Sequence, residues 1–252
     1  MKLRDQFLHT GDFFFRWRSV LPLALVPLFL ASFLGLHYPF DSHALDLVWE
    51  LGCALIAATG VALRIFTVGS SPRGTSGRNT RAQKADVLNT TGAYSVVRHP
   101  LYLGNYLIAL GLSAFSRAWF LPVIVTLATA LYYERIAARE EQFLEERFGD
   151  EFRRWAAVVP AVLPAFRLYR APALPFQWRV AVAREFYAMS MLPVALWVLD
   201  IVEDYAVTGH LVLDPLWTAL AAAGALFFAV MRTLKKRGRL TRRPDGIRTP
   251  AA

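Results

Sequence analysis

Two short stretches hold most of the side chains that can do chemistry. The first runs Tyr94-Ser-Val-Val-Arg98-His99-Pro100-Leu-Tyr102-Leu-Gly104-Asn105-Tyr106 and gathers a guanidinium, an imidazole and three phenols. Pro100 suits the first turn of a helix, where a missing N–H costs nothing. Arg98 and His99 then fall at that helix's N-terminus, a place attractive to anions. The second stretch, Arg139-Glu140-Glu141-Gln-Phe143-Leu144-Glu-Glu-Arg-Phe148-Gly149, supplies adjacent carboxylates. Each has a plainer reading when taken alone. Arg98 and its tyrosines can anchor a helix at a membrane interface, and Glu140 and Glu141 can offset Arg135 and Arg139 across helical spacings. Taken together they offer carboxylates for a cation, a guanidinium for an anion, and aromatic faces. A zwitterion carrying a carboxylate, an amine and a sulfonium suits that set.

Composition says what kind of element must bring them together. Of 252 residues, 56% are apolar and 19% charged, with a mean hydropathy of +0.36. A water-soluble domain sits nearer half apolar and a quarter charged. The single cysteine, Cys53, excludes an internal disulfide, a CxxC redox pair and a cysteine-rich zinc site. The apolar residues fall into runs at 19–36, 47–68, 101–115, 119–133, 186–199 and 216–231, on the scale of the roughly 17–25 residues that a helix needs to cross a bilayer. The expected fold is an all-α, polytopic membrane helical bundle of six transmembrane helices, with five as the fallback. The fifth run is the weakest, since it is short, contains Pro193 and starts beside Arg184-Glu185. Ser116-Arg117 splits the third and fourth runs into a tight hairpin. Past the fourth, no Pro or Gly interrupts the chain before Gly149, so that helix continues out of the membrane. The hairpin therefore brings the His99 end and the Glu140 end side by side. The runs themselves read as free of buried charge chains of the kind that mark ion paths.

Charge sets the orientation, because Lys and Arg collect in short cytoplasmic loops. With both termini cytosolic, the inside segments are 1–18, 69–100, 134–185 and 232–252. Only Arg117 among 28 Lys and Arg then falls in an outside segment, while Asp200, Glu203, Asp204 and Asp214 cluster there. The net charge of +9 is thus mostly orientation rather than a sign of nucleic-acid binding. The C-terminal run Lys235-Lys236-Arg237, with Arg239, Arg242 and Arg243, is placed to touch anionic lipid headgroups. Residues 1–252 read as a single membrane domain, with a core at about 85–165 and a two-span C-terminal extension at 166–252.

The string Gly92-Ala-Tyr-Ser-Val-Val-Arg-His-Pro-Leu-Tyr-Leu-Gly104 resembles the Arg-His-Pro-x-Tyr-x-Gly motif of the isoprenylcysteine carboxyl methyltransferase and phospholipid N-methyltransferase superfamily. The family's downstream Arg-Glu-Glu-x-x-Leu-x-x-x-Phe-Gly motif is matched at Arg139, Glu140, Glu141, Leu144, Phe148 and Gly149, and Val159-Pro160 with Pro164 resembles its closing motif. The resemblance covers about residues 85–165. It implies an S-adenosylmethionine-dependent methyltransferase acting on a lipid or isoprenoid-type acceptor, with the donor held near the cytosolic interface. Carried over residue by residue, the donor contacts are Tyr94, Arg98, His99, Tyr102, Gly104, Glu140 and Glu141. Where the family commonly has tyrosines after Phe-Gly, this chain has Phe152 and Trp155.

Methyl transfer is an in-line displacement at an activated carbon, so the protein mainly aligns two reactants and excludes water. No metal is expected. An acceptor that must lose a proton needs a base, and His99 and Glu140 are the candidates. Acceptor contacts are expected from Trp155 and from Arg78 and Asn79. The last two belong to the loop Thr75-Ser-Gly-Arg-Asn-Thr80, whose donors and arginines can close around phosphate oxygens. Two other readings compete: a membrane reductase of similar hairpin architecture using a nicotinamide cofactor, and a non-enzymatic transporter or scaffold.

Overall fold

The computed structural model describes residues 13–14, 16–17, 20–33, 42–72 and 85–238. Arg78, Asn79 and the rest of the 73–84 loop lie outside the described residues, as does the basic run beyond Gly238. Among the described residues there are seven α-helices and no strand: α1 Val26–Ala31, α2 His43–Gly69, α3 Pro100–Ala114, α4 Phe120–Phe148, α5 Asp150–Ala156, α6 Trp178–Thr208 and α7 Pro215–Lys236. Short 3-10 turns stand at Leu21–Leu25, Gly92–Ser95 and Phe166–Leu168.

Four helices, α2, α4, α6 and α7, are long and apolar enough to cross a membrane. The 15-residue α3 reaches only about 22 Å at the α-helical rise per residue, and it forms the hairpin with α4. The fifth apolar run is the main surprise. It is no short segment but the middle of the 31-residue α6. Pro193 does not end that helix, and Gly224 of α7 sits against it, leaving no room for a side chain: a Cβ there would lie 2.7 Å from Pro193 Cγ. Residues 200–208, read from sequence as an outside loop, are the last turns of the same helix. The first run appears only as the 3-10 turn at Leu21–Leu25 followed by α1, with residues 34–41 outside the described set.

Capping chemistry fixes the start of several helices. Ser42 accepts from the Leu45 amide at the head of α2, and the Asp214 carboxylate accepts from the Leu216 and Trp217 amides at the head of α7. Pro100 and Pro215 occupy first-turn positions. Gly149, with φ of 54°, ends α4 and turns the chain into α5.

Side by side, the order is α4, α3, α2, α6, α7. The closest pair is α2 with α3, which meet along small residues. A Cβ on Gly60 would lie 2.5 Å from the Gly104 carbonyl oxygen, and one on Gly111 would lie 2.5 Å from that of Cys53. Such glycines let two membrane helices approach backbone to backbone. Cys53, Phe115, Leu196 and Trp217 form a buried cluster joining α2, the hairpin turn, α6 and α7.

The apolar runs read as lacking buried charge chains, but the structure buries a group of acids at one end of the bundle, of which Glu50 lies within a run and the others just beyond run ends. Asp46, Glu50, Asp200, Glu203 and Asp204 are all at most 3% exposed. At this end of the bundle, Arg117, held at φ of 57° in the hairpin turn, pairs with Asp46 and Glu203. The Trp217 indole donates to Glu50 at 2.8 Å. These partners make the burial tolerable, since an unpaired buried charge is costly. Carboxylate oxygens of Asp46, Glu50 and Glu203 lie within 4.8 Å of one another, a convergence that separations of more than 150 residues hide from sequence reading.

Candidate active site

At the opposite end of the bundle, α3 begins and α4 leaves the apolar region. Pro100 starts α3, so His99 is its N-terminal cap residue and Arg98 stands just before it. The uninterrupted α4 carries Glu140 and Glu141 past them. The His99 ring lies between the two acids, with Nε2 2.9 Å from Glu141 Oε1 and Nδ1 3.7 Å from Glu140 Oε2. A carboxylate can only accept, so the short contact is a donation from the ring to Glu141. Arg98 Nε is 3.1 Å from the same Glu141 oxygen, and another Arg98 nitrogen donates to the Ala156 carbonyl at 3.2 Å. Both stretches singled out in the sequence therefore meet in one cluster.

Aromatic rings extend it toward the membrane. Tyr102 stacks on His99 with centroids 5.4 Å apart and on Tyr133 of α4 at 4.5 Å. Tyr94 stands in the 3-10 turn before Arg98. Withdrawal from water raises its phenol above the ordinary value, the Glu140 carboxylate raises it further, and Arg184 opposes them. At neutral pH Tyr94 is therefore a neutral hydroxyl and no base. Trp155 of α5 donates its indole N–H to the Tyr94 carbonyl at 3.2 Å, which brings it to the same turn. Gly104 faces α2, where a Cβ would come 2.6 Å from Arg64 Cγ. Its place is in helix packing beside the cluster.

Below the cluster lies a network that motif reading missed. Arg64 of α2 forks onto Glu185 of α6, Nε to Oε2 at 2.8 Å and the second nitrogen to Oε1 at 2.9 Å, and also donates to Asn105 of α3. Glu185 is 2% exposed. One guanidinium thus ties three helices together one to two turns into α3, beneath His99. A lone Arg at the end of one apolar run and a lone Glu at the start of another, 121 residues apart, were the available signal.

Segment 157–177 closes the site from the other side. The Arg98 amide donates to Pro160 O at 2.9 Å, the Ala165 amide to Val96 O at 2.9 Å, and the Gly92 amide to Arg170 O at 2.9 Å. Gly92, at φ of 61°, takes a conformation that favours glycine. The Val159-Pro160 motif is thereby explained as a strap across the 92–98 turn.

Residues 49–151 match the phospholipid methyltransferase family. A cobalt-zinc-cadmium resistance protein of Cupriavidus metallidurans is 38% identical over 101 residues, 40% of this chain and 45% of that protein. A nickel-cobalt-cadmium resistance protein of Alcaligenes xylosoxydans xylosoxydans is 31% identical over 155 residues, 62% of this chain and 66% of that protein. A protein-S-isoprenylcysteine O-methyltransferase of Schizosaccharomyces pombe is 28% identical over 85 residues, 34% of this chain and 36% of that enzyme. The chain thus spans less than two thirds of each. No solved structure matches. The matched region contains α3, α4 and every residue of the Arg98–His99–Glu140–Glu141 cluster, and over it the chain is similar to phospholipid and isoprenylcysteine methyltransferases.

Proposed function

We propose that the protein transfers a methyl group from S-adenosylmethionine to a lipid or isoprenoid-type acceptor at the cytosolic membrane interface. The observation that supports this most is the convergence of Arg98, His99, Glu140 and Glu141 where the α3–α4 hairpin meets the apolar boundary. The donor set fits the cofactor by chemistry. Two carboxylates suit an amine and a sulfonium, Arg98 suits a carboxylate, and the stacked His99, Tyr102 and Tyr133 rings offer a face to a flat or cationic group.

When bound, S-adenosylmethionine supplies a methyl carbon already activated by its positive sulfur. The residues do the rest. Glu141, held by Arg98 and His99, fixes one end of the donor, and the aromatic stack excludes water from the other. Arg98, Glu140 and Glu141 would hold the donor so that its methyl carbon would be presented to an acceptor at the apolar boundary. An acceptor that carries a proton passes it to the His99–Glu140 pair, while an anionic oxygen acceptor needs no base. In this reading Trp155 contacts the acceptor, with Arg78 and Asn79 approaching from the loop, residues 1–252 act as one membrane domain, and both termini face the cytosol.

Calorimetric titration of detergent-solubilised protein with S-adenosylhomocysteine and with NADPH tests the reading. Binding of the first and not the second is expected. Binding of NADPH alone would transfer the site to the reductase alternative.

A further inference from the structure

The end of the bundle away from the donor cluster gathers acids that the methyl-transfer reading leaves unused. Asp46 and Glu50 stand about one turn apart on α2, and Asp200 precedes Glu203 and Asp204 on α6 by three and four positions. Each set therefore shares one face of its helix. Packing of α2 against α6 joins the two faces, so that carboxylate oxygens of Asp46, Glu50 and Glu203 lie within 4.8 Å of one another. Arg117 is the one Lys or Arg at this end among the described residues. It engages Oδ1 of Asp46 and Oε1 of Glu203, while the Trp217 indole donates to Oε2 of Glu50. One guanidinium, even with the His43 imidazole at the head of α2, does not offset five buried carboxylates, and uncompensated buried charge is costly.

Crowded acids can share protons, but two of these carry a further sign. Glu203 belongs to the converging set and is 0% exposed, yet its Oε2 has no hydrogen-bond partner. Asp200 is as well buried as Glu50, and its Oδ2 is likewise without a partner. The Asp200 charge acts on Glu50 and Asp204, which puts it at the same cluster. Native folds seldom strand buried polar atoms, and an ion is one of the causes when they do.

The donor set says which ion. Every converging ligand atom is a carboxylate oxygen, and no imidazole or sulfur joins the group, although Cys53 lies one turn beyond Glu50. Oxygen ligands alone suit the hard cations calcium, magnesium and manganese. Burial then favours calcium, which takes roughly six to eight oxygens and accepts carboxylates through one atom or both, whereas magnesium keeps several of its waters. A site enclosed by side chains at most 3% exposed has little room for those waters.

We propose that Asp46, Glu50, Asp200 and Glu203 form a calcium site that fastens α2 to α6 at this end of the bundle. Arg117 and Trp217 each take one oxygen of a ligand and leave the second for the ion, so both position ligands without competing for it. No residue of the donor cluster takes part, and the site stands whether or not the methyltransferase reading does.

The test uses the full chain in detergent, freed of metals with a chelator that is then dialysed away. Equilibrium dialysis against calcium chloride and magnesium chloride reads affinity, and thermal unfolding with and without calcium reads the stabilisation that binding to the folded state must bring. One calcium per chain is expected, with a raised thermal midpoint and magnesium at least about tenfold weaker. Asp200→Asn and Glu203→Gln should each weaken calcium at least about tenfold, the scale of one lost charged ligand. Glu203→Gln also disturbs Arg117, so Asp200→Asn is the cleaner variant: Asp200 has no ion pair to lose, and a cooperative melt in the absence of calcium shows that the variant is folded. Glu146→Gln, an exposed acid of α4 at the other end, should leave calcium affinity unchanged. Absence of bound calcium in the parent, or binding indifferent to both cluster substitutions, would overturn the site. An equal loss in Glu146→Gln would reduce the binding to diffuse surface charge, and magnesium as tight as calcium would overturn the choice of ion.

Discussion

Glu141 receives both Arg98 and His99, which makes it the residue on which the proposed donor site turns. Glu141→Ala and His99→Ala are each expected to weaken S-adenosylhomocysteine binding by about ten- to a hundredfold, the equivalent of roughly 1.5–3 kcal/mol for one charge-assisted hydrogen bond. Titration calorimetry reads this directly, and unchanged affinity in both variants would return the pair to the role of helix-end charges. A second residue prediction concerns stability rather than binding. Glu185→Ala leaves the Arg64 guanidinium buried against Asn105 alone. Removing one partner of a buried pair costs about 3–5 kcal/mol, so a clear fall in thermal midpoint in detergent is expected, and Glu185→Gln should recover part of it. The two pairs also show what a sequence makes legible. Arg98, His99, Glu140 and Glu141 sit in dense local strings whose helix signals predict their meeting. Arg64 and Glu185 meet only because α2 and α6 pack together, and nothing local announces that.

The α2–α3 contact depends on side chains that are missing. Gly111→Val puts branched carbons where a Cβ already falls 2.5 Å from Cys53 O and 2.8 Å from the Ala57 amide nitrogen. Backbone cannot give way as a flexible side chain can, so the helices must separate. A loss of roughly 1–3 kcal/mol is expected from such overpacking, read as a lowered thermal midpoint. A variant as stable as the parent would mean that α3 is free to shift. Elements were read unevenly from sequence. The run of α4 past the membrane to Gly149 follows from helix formers without a breaker. The length of α6 was hidden because Arg184-Glu185 and Asp200–Asp204 look like boundaries. In the fold Glu185 has Arg64 and Glu203 has Arg117, so the charges continue the helix instead of ending it. The strap at 157–177 is held to the 92–98 turn and to Gly69 by backbone hydrogen bonds between distant segments, which no periodicity encodes.

At the scale of the whole molecule, the two ends of the bundle carry opposite charge. Arg98, Arg135, Arg139, Arg147, Arg153, Arg154, Arg167 and Arg170 lie toward the proposed donor end. At the other, Arg117 stands among Asp46, Asp200, Glu203, Asp204 and Asp214. In the proposed topology the positive end faces the cytosol, following the bias by which Lys and Arg collect on that side, and the proposed methyl donor would have to reach it from there. Two exposed positions report on it. His210 lies in the loop between α6 and α7 at the acidic end, and Glu151 stands on α5 at the arginine-rich end. In a background with Cys53→Ser, which removes the chain's one cysteine, His210→Cys is expected to react with a membrane-impermeant maleimide in intact cells. Glu151→Cys should react only after the cells are permeabilised. The reverse pattern would put the cluster of Arg98, His99, Glu140 and Glu141 outside, away from any cytosolic donor, and the proposed chemistry would fail with it.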